Sequence, residues 1–199
     1  MKKHDLIMIG VGGQGIVLAS DIMGEAALAD GYDVKKTDTL GMAQRGGSVV
    51  SHVRIADKVY SPLIRQGEAD ILIAFEKLEI IRWINYLRPG GLVIVNNHAM
   101  PPLSVNLGVN RYPSDEEITD VLKQRANSVC FVDGTSRAIE FGDIRTINVF
   151  MLGCLSSFLP VKVDTWKGCI SQRLPSKIIQ MNINAFDQGR KELSDVDLG

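Results

Sequence analysis

Asp5–Gly15 reads DLIMIGVGGQG, a run of large apolar residues that ends in four glycines within six positions. Leu6, Ile7, Met8 and Ile9 carry no polar interruption, the pattern of a strand buried on both faces in a parallel sheet. From Gln14 to Ala29 the period changes to that of a helix. Ile16, Ala19, Met23 and Ala26 share one face, and Gly31 marks the exit. Between strand and helix stands Gly10-x-Gly12-x-x-Gly15. A helix N-terminus presents unpaired N–H groups and the positive end of a dipole, so it can hold a phosphate. Glycines let the chain turn sharply and let a ligand approach without meeting a Cβ. The plainer alternative is a tight, close-packed strand–helix turn with nothing bound. A dinucleotide site would add an acid at the end of the second strand. Asp38 is available for this, but Lys35 and Lys36 beside it favour a ligand with additional phosphate.

Outward from this unit, strands are expected at residues 33–38, 48–55, 70–75, 92–97 and 129–133. In residues 48–55, Val49, Ser51, Val53 and Ile55 alternate with Val50, His52 and Arg54, so one face leans polar. A helix over residues 77–87 is broken by RPGG (88–91), and residues 100–113, with three prolines, read as loop or edge. Ser114 and Glu117 form a capping pair that opens another helix. Beyond Gly134 the chain is mostly helical, with Pro160 and Pro175 as separators. Alternating strands and helices give one α/β domain over residues 1–199, a Rossmann-like, mostly parallel sheet flanked by helices with a helical C-terminal third. Ile147, Phe150, Met151, Leu155 and Phe158 form a broad apolar face, mostly core, with a remainder assigned to a subunit interface.

Bulk properties narrow the function. With 45% apolar residues and a net charge of −1, the chain has a substantial core and no basic cluster, which points away from nucleic acid and membrane surfaces. No run approaches the roughly 20 apolar residues of a spanning helix. The polar start is unlike an export signal, which predicts a cytoplasmic protein. Cys130, Cys154 and Cys169 are odd in number and widely spaced, reading as buried reduced thiols rather than a self-contained zinc or iron–sulfur site. His4, His52 and His98 are isolated, so no metal is expected. His52, with Arg54 on the same side of its strand, could face a ligand cleft or a partner. Asn96 and Asn97 end a strand at the carboxyl edge, where open α/β sheets bind ligands. Asn148 reads as a capping or packing residue.

A second motif, GMAQRGGSVVSHVRI (Gly41–Ile55), sets a planar five-donor side chain, Arg45, inside another glycine turn. The pair of motifs resembles the gamma subunit or domain of 2-oxoacid:ferredoxin oxidoreductases, nearest to the small (beta) subunit of the indolepyruvate type. The likeness continues through SPLIRQGEADILIAFEKLE (61–79) and INVFMLG (147–153), to about Arg190. It implies oxidative decarboxylation of a 2-oxo acid on thiamine diphosphate, electron transfer through [4Fe–4S] clusters to ferredoxin, and acyl transfer to coenzyme A. It also implies that thiamine diphosphate and the clusters lie on a large catalytic partner, in a hetero-oligomer that meets ferredoxin only indirectly. This chain would contribute to coenzyme A binding and catalyse nothing alone. Carried over by motif, Gly10, Gly12, Gly13, Gln14 and Gly15 form the turn that faces the coenzyme A phosphates. Lys36, Thr37, Arg45, Gly46, Gly47 and Ser48 form an opposing wall. The sequence departs from the indolepyruvate pattern at Leu40, where a histidine is expected, which leaves the identity of the 2-oxo acid open. Two other readings stand beside this one: a self-sufficient NAD(P)-binding Rossmann oxidoreductase, and a structural subunit that keeps the fold without a ligand.

Overall fold

The computed structural model of the chain describes residues 3–41 and 46–194. Strand β1 (His4–Val11) and helix α1 (Ile16–Ala29) are followed by β2 (Asp33–Leu40), β3 (Ser48–Ala56) and β4 (Ala69–Ala74). After α2 (Lys77–Trp83) come β5 (Leu87–Asn96), the short α3 (Leu103–Asn106), α4 (Asp115–Lys123) and β6 (Ser128–Val132). The remainder is helical: α5 (Gly134–Glu140), α6 (Ile147–Ser156), α7 (Val163–Arg173) and α8 (Ser176–Glu192). The strands form one sheet in the order β2-β3-β1-β4-β5-β6.

β1, β4, β5 and β6 are parallel, as expected, and β3 is antiparallel to both its neighbours. β2 and β3 form a hairpin, and β3 inserts between β2 and β1. That position covers β3 on both sides: Ser51 and His52, adjacent residues on opposite faces, are both buried, because both faces of the sheet are covered. Ser51 stays satisfied by donating to Asp38 Oδ1 at 2.5 Å and accepting from Ser20 of α1 at 3.2 Å. One face packs Leu6, Met8, Ile73 and Ile94 against α1 and the C-terminal helices, and the other packs Ile7, Ile9, Leu72 and Val93 under α2 and α4.

RPGG behaves differently from expectation. It lies within β5, where Ala69 pairs with Leu87 and Ile71 pairs with Leu92, so the strand absorbs the extra residues as a bulge. The helix before it ends early, at Trp83, in a 3-10 turn over Ile84–Tyr86. The capping box at Ser114 and Glu117 forms as the sequence indicates.

Helix α6 buries all ten of its residues, so of the apolar face Ile147, Phe150, Met151 and Leu155 are core and only Phe158, beyond the helix end, is partly exposed. Its closest neighbour is α8, and the two cross over Gly153 and Gly189. A Cβ on Gly153 would stand 2.2 Å from the Phe186 carbonyl oxygen, and one on Gly189 would stand 2.1 Å from that of Phe150. This tight crossing holds the C-terminal helices on the sheet and carries the preceding turn, Ile144–Thr146, to the carboxyl edge of the parallel strands.

Candidate functional site

β1 and β4 are parallel neighbours whose connections leave to opposite sides of the sheet, which makes their carboxyl ends a topological switch point, where open α/β sheets bind ligands. The first glycine turn sits there. A Cβ on Gly10 would fall 2.7 Å from Gln14 Oε1 and 2.8 Å from Ile16 Cδ1, so this glycine serves packing. Gly15 is the N-cap of α1 with φ 77°, and a Cβ there would meet Asn148 Nδ2 at 2.6 Å. Gly13 is different. Its φ is 106° and a Cβ would meet nothing within 4 Å, so it needs glycine for its backbone but faces open space. Behind it, α1 has no side-chain cap and no acid in its first turn, leaving the positive end of the helix unneutralised by its own residues.

Gln14 turns inward. Its Oε1 accepts from Val11 N at 2.9 Å and its Nε2 donates to the Phe75 carbonyl at 2.9 Å, tying the end of β1 to the end of β4. Asn96 Nδ2 donates to the same carbonyl at 3.0 Å and to Thr135 Oγ1 at 2.9 Å, which adds β5 and α5 to the joint. Asn97 donates to Asp133 Oδ1 at 3.0 Å. The asparagines at the carboxyl edge therefore build the frame around the opening.

The described end of the second glycine motif, Gly46 and Gly47, rests on the first turn. Gly12 N donates to the Gly47 carbonyl at 2.8 Å, and Gly46 N reaches the Gly12 carbonyl at 3.4 Å. Ser48, paired with Val11 in the sheet, donates to Glu79 Oε2 at 2.6 Å, and Arg82 holds the other oxygen of that carboxylate at 2.5 Å. Lys36 and Thr37 lie down the strand on opposite faces of β2. Lys36 pairs with Asp21 of α1 and, at 3.1 Å, with Asp38, well away from the mouth. Arg45 lies outside the described residues.

Among the described residues, the C-terminal third also lines the opening at Gly12 and Gly13. Thr135, Arg145 and Ile147 face the turn across a cavity of about 210 Å³, and His98 and Met100 form its lip. The lip is held by Glu76, which is fully buried. Its carboxylate caps α2 through Glu79 N at 2.9 Å, accepts from Met100 N at 2.9 Å, and accepts from the Tyr112 hydroxyl at 2.5 Å. Burial and the Glu76 carboxylate together hold the Tyr112 phenol protonated, pushing its pKa far up. A second cavity of about 300 Å³ lies on the other side of Arg145, between Leu18 of α1 and Leu174, Ile178 and Met181. A cavity of about 310 Å³ opens at the opposite edge of the sheet, around Asp70 and Arg88. These two side chains pair with each other at 2.7 Å, and Asp70 also accepts from Asp5 N at 2.8 Å, so their polar groups are already satisfied.

His52 reaches neither cleft nor surface. Its Nδ1 accepts from Ile64 N at 3.3 Å, the Trp83 and Tyr86 rings pack edge-on against it, and burial lowers its pKa. Arg54 is locked by a fork on Asp5, with both bonds at 3.0 Å. The residues that line the opening without having been singled out for it are Thr135, Ile144, Arg145 and Ile147, with His98 and Met100. The one sequence signal that bears on them is the strand–Gly–helix junction VDGTSR (Val132–Arg137), a second such junction at the same edge.

The cysteines are unpaired and lie on three elements, β6, α6 and α7, and burial raises all three thiol pKa values. Among the described residues no helix is long and apolar enough to cross a membrane.

The model of the pyruvate ferredoxin/flavodoxin oxidoreductase family matches residues 5–192. The chain is 39% identical over 199 residues to the indolepyruvate oxidoreductase subunit IorB of Pyrococcus horikoshii, covering 98% of each chain. Its fold matches the gamma subunit of a keto/oxoacid ferredoxin oxidoreductase from Geobacter sulfurreducens, with a TM-score of 0.71 and 22% identity, over 97% of this chain and 99% of that one. It also matches a 2-oxoglutarate:ferredoxin oxidoreductase from Magnetococcus marinus, with a TM-score of 0.78 and 20% identity, over 100% of this chain and 32% of that one. That enzyme was solved with 2-oxoglutarate, coenzyme A and succinyl-CoA bound. The resemblance carried by the two glycine motifs thus holds, and this chain belongs to the pyruvate ferredoxin/flavodoxin oxidoreductase family as a small subunit of the 2-oxoacid:ferredoxin oxidoreductase type.

Proposed function

We propose that this subunit cradles coenzyme A for a thiamine-diphosphate-dependent oxidoreductase of the indolepyruvate type, whose catalytic cofactors sit on a large partner. The observation that carries the proposal is the environment of Gly13. A glycine-only backbone faces open space at the switch point, in front of a helix end with no acid or side-chain cap. That combination favours a phosphorylated ligand approaching along the main chain. Coenzyme A bound to the Magnetococcus enzyme and the Pyrococcus relative's name support the choice of ligand and substrate.

The size of the site fits a shared one. The cavity at the turn, about 210 Å³, is smaller than the roughly 300–1,000 Å³ of a complete small-molecule pocket. This chain would hold the phosphates and orient the carrier, and the thiol end would project toward the partner. Three scattered thiols whose pKa values burial raises suit no cluster, so the electron-transfer centres are assigned to the partner with thiamine diphosphate. Thiamine diphosphate there would supply the carbanion chemistry of decarboxylation.

The NAD(P) reading fares worse on geometry. A dinucleotide fold sets the second strand beside the first, with its terminal acid near the ribose. Here β3 intervenes, which moves Asp38 one strand further away, and Asp38 is tied to Ser51 and Lys36.

The test is calorimetric titration of coenzyme A into the complex of this chain with its large partner, alongside thermal unfolding. Saturable binding and a raised Tm are expected. Dye reduction dependent on both coenzyme A and indolepyruvate, measured against other 2-oxo acids, checks the substrate. A complex that ignores coenzyme A but binds NADH would reverse the assignment.

A further inference from the structure

We infer that Arg145 is the specificity-determining residue that takes the phosphate charge of the ligand at the glycine turn, with Asp143 holding its guanidinium until the ligand arrives. This inference rests on the coenzyme A reading above and names the side chain that reads the charge.

The charges around the opening single it out. Lys36 is bound to Asp21 and Asp38. Arg82 is held by Glu79, and Lys77 by Asp115 at 2.5 Å. Among the described residues lining the cavity, which include Gly12 and Gly13, Arg145 alone carries a permanent positive charge. Its side chain is 80% exposed, so the head is free to move. At rest it forks on Asp143, with Nε at 2.9 Å and Nη2 at 2.5 Å from Oδ2, and the two groups push each other's pKa values apart, the carboxyl down and the guanidinium up. A pair two residues apart in sequence and open to water is readily exchanged for a phosphate, which offers the same planar fork more charge.

Releasing Arg145 does not unravel the turn. Asp143 Oδ1 also accepts from the Arg145 backbone N at 2.9 Å, capping the 3-10 turn Ile144–Thr146 whatever the guanidinium does. Position adds to the case. Arg145 borders both the 210 Å³ cavity and the 300 Å³ cavity beside α1. A ligand with a diphosphate at mid-length, as in coenzyme A, would place that charge at Arg145.

The experiment titrates coenzyme A and pantetheine, which lacks phosphate, into the assembled complex bearing wild-type, R145Q, R145K or D143N subunit. R145Q is expected to weaken coenzyme A roughly ten- to a hundredfold while leaving pantetheine unchanged. R145K recovers part of the loss, and D143N, which still caps the turn but frees the guanidinium, tightens coenzyme A. Equal coenzyme A affinity in R145Q and wild type overturns the role of Arg145. A parallel loss of pantetheine binding also overturns it, by showing a structural effect. Failure of the wild-type complex to bind coenzyme A sinks the ligand assignment itself.

Discussion

Two pairs of glycines divide the molecule. Gly153 and Gly189 lie inside α6 and α8, and their missing side chains are accounted for by the chain's own backbone, which passes where a Cβ would be. Gly13 and Gly46, in the two turns at the carboxyl edge, have φ values of 106° and 74°, and a Cβ on either would meet nothing within 4 Å. The first pair is spent on packing. The second keeps a surface of main chain bare, and at Gly13 that surface lines the same cavity as Arg145. Packing glycines and approach glycines are thus separable by what stands in front of them, and substitution can test the separation.

The largest effect belongs to the packing pair. G189A sets a methyl against the Phe150 carbonyl at 2.1 Å, where relief requires α6 and α8 to move apart. Overpacking of this kind costs about 3 kcal/mol, with the folded protein keeping its affinity for coenzyme A. Urea unfolding and calorimetry on the complex measure the two halves. Loss of binding at unchanged stability would erase the distinction.

G13V is the converse. Coenzyme A affinity is expected to fall more than tenfold, because a branched side chain would fill the approach. Stability falls by about 1–3 kcal/mol from forcing a β-branched residue to positive φ. Unchanged binding would show that the bare turn serves only the fold. Q14L lies between the two regions. It removes the bridge from Val11 N to the Phe75 carbonyl and is expected to cost about 1–2 kcal/mol. Its effect on binding should come with disorder of the turn, visible as faster hydrogen exchange at Val11.

The contrast also shows what a sequence can disclose. The first turn was legible because strand, glycines and helix are adjacent in the chain and each signal is local. Gly153 and Gly189 were not, since a single glycine in a helical pattern registers only as a weak helix former until the partner helix is known. β3 is partly legible for a related reason. One of its faces leans polar in the sequence, and only the pairing with β1 and β2 shows that Ser51 and His52, on opposite faces, are both buried and satisfied. Arg145 follows an aspartate by two positions and reads as a solvated ion pair. It joins the candidate site because the packing of α6 on α8 sets its turn opposite Gly12, a tertiary fact with no local trace. Gln14 was legible as a special residue but not in direction, since nothing in a glutamine's neighbours says whether its amide points in or out.

The smallest expected effect sharpens the comparison from outside the cleft. His52 is buried beneath Trp83 and Tyr86, and burial lowers its pKa below the ordinary 6.5. The unfolded chain therefore binds a proton at a higher pH than the folded one. The neutral ring's contribution is fully present above the ordinary value and is lost as pH falls through it toward the folded value. Unfolding free energy measured in urea should decline between pH 7 and pH 5.5. H52Q, which keeps an acceptor for Ile64 N but cannot titrate, should flatten that slope. Coenzyme A affinity should be the same in H52Q and wild type at each pH, because His52 stands behind the sheet's aromatic cover and Gly13 stands at the open edge. An equal slope in H52Q would remove His52 as the source of the pH dependence. A change in affinity would mean that the two regions are coupled through β3.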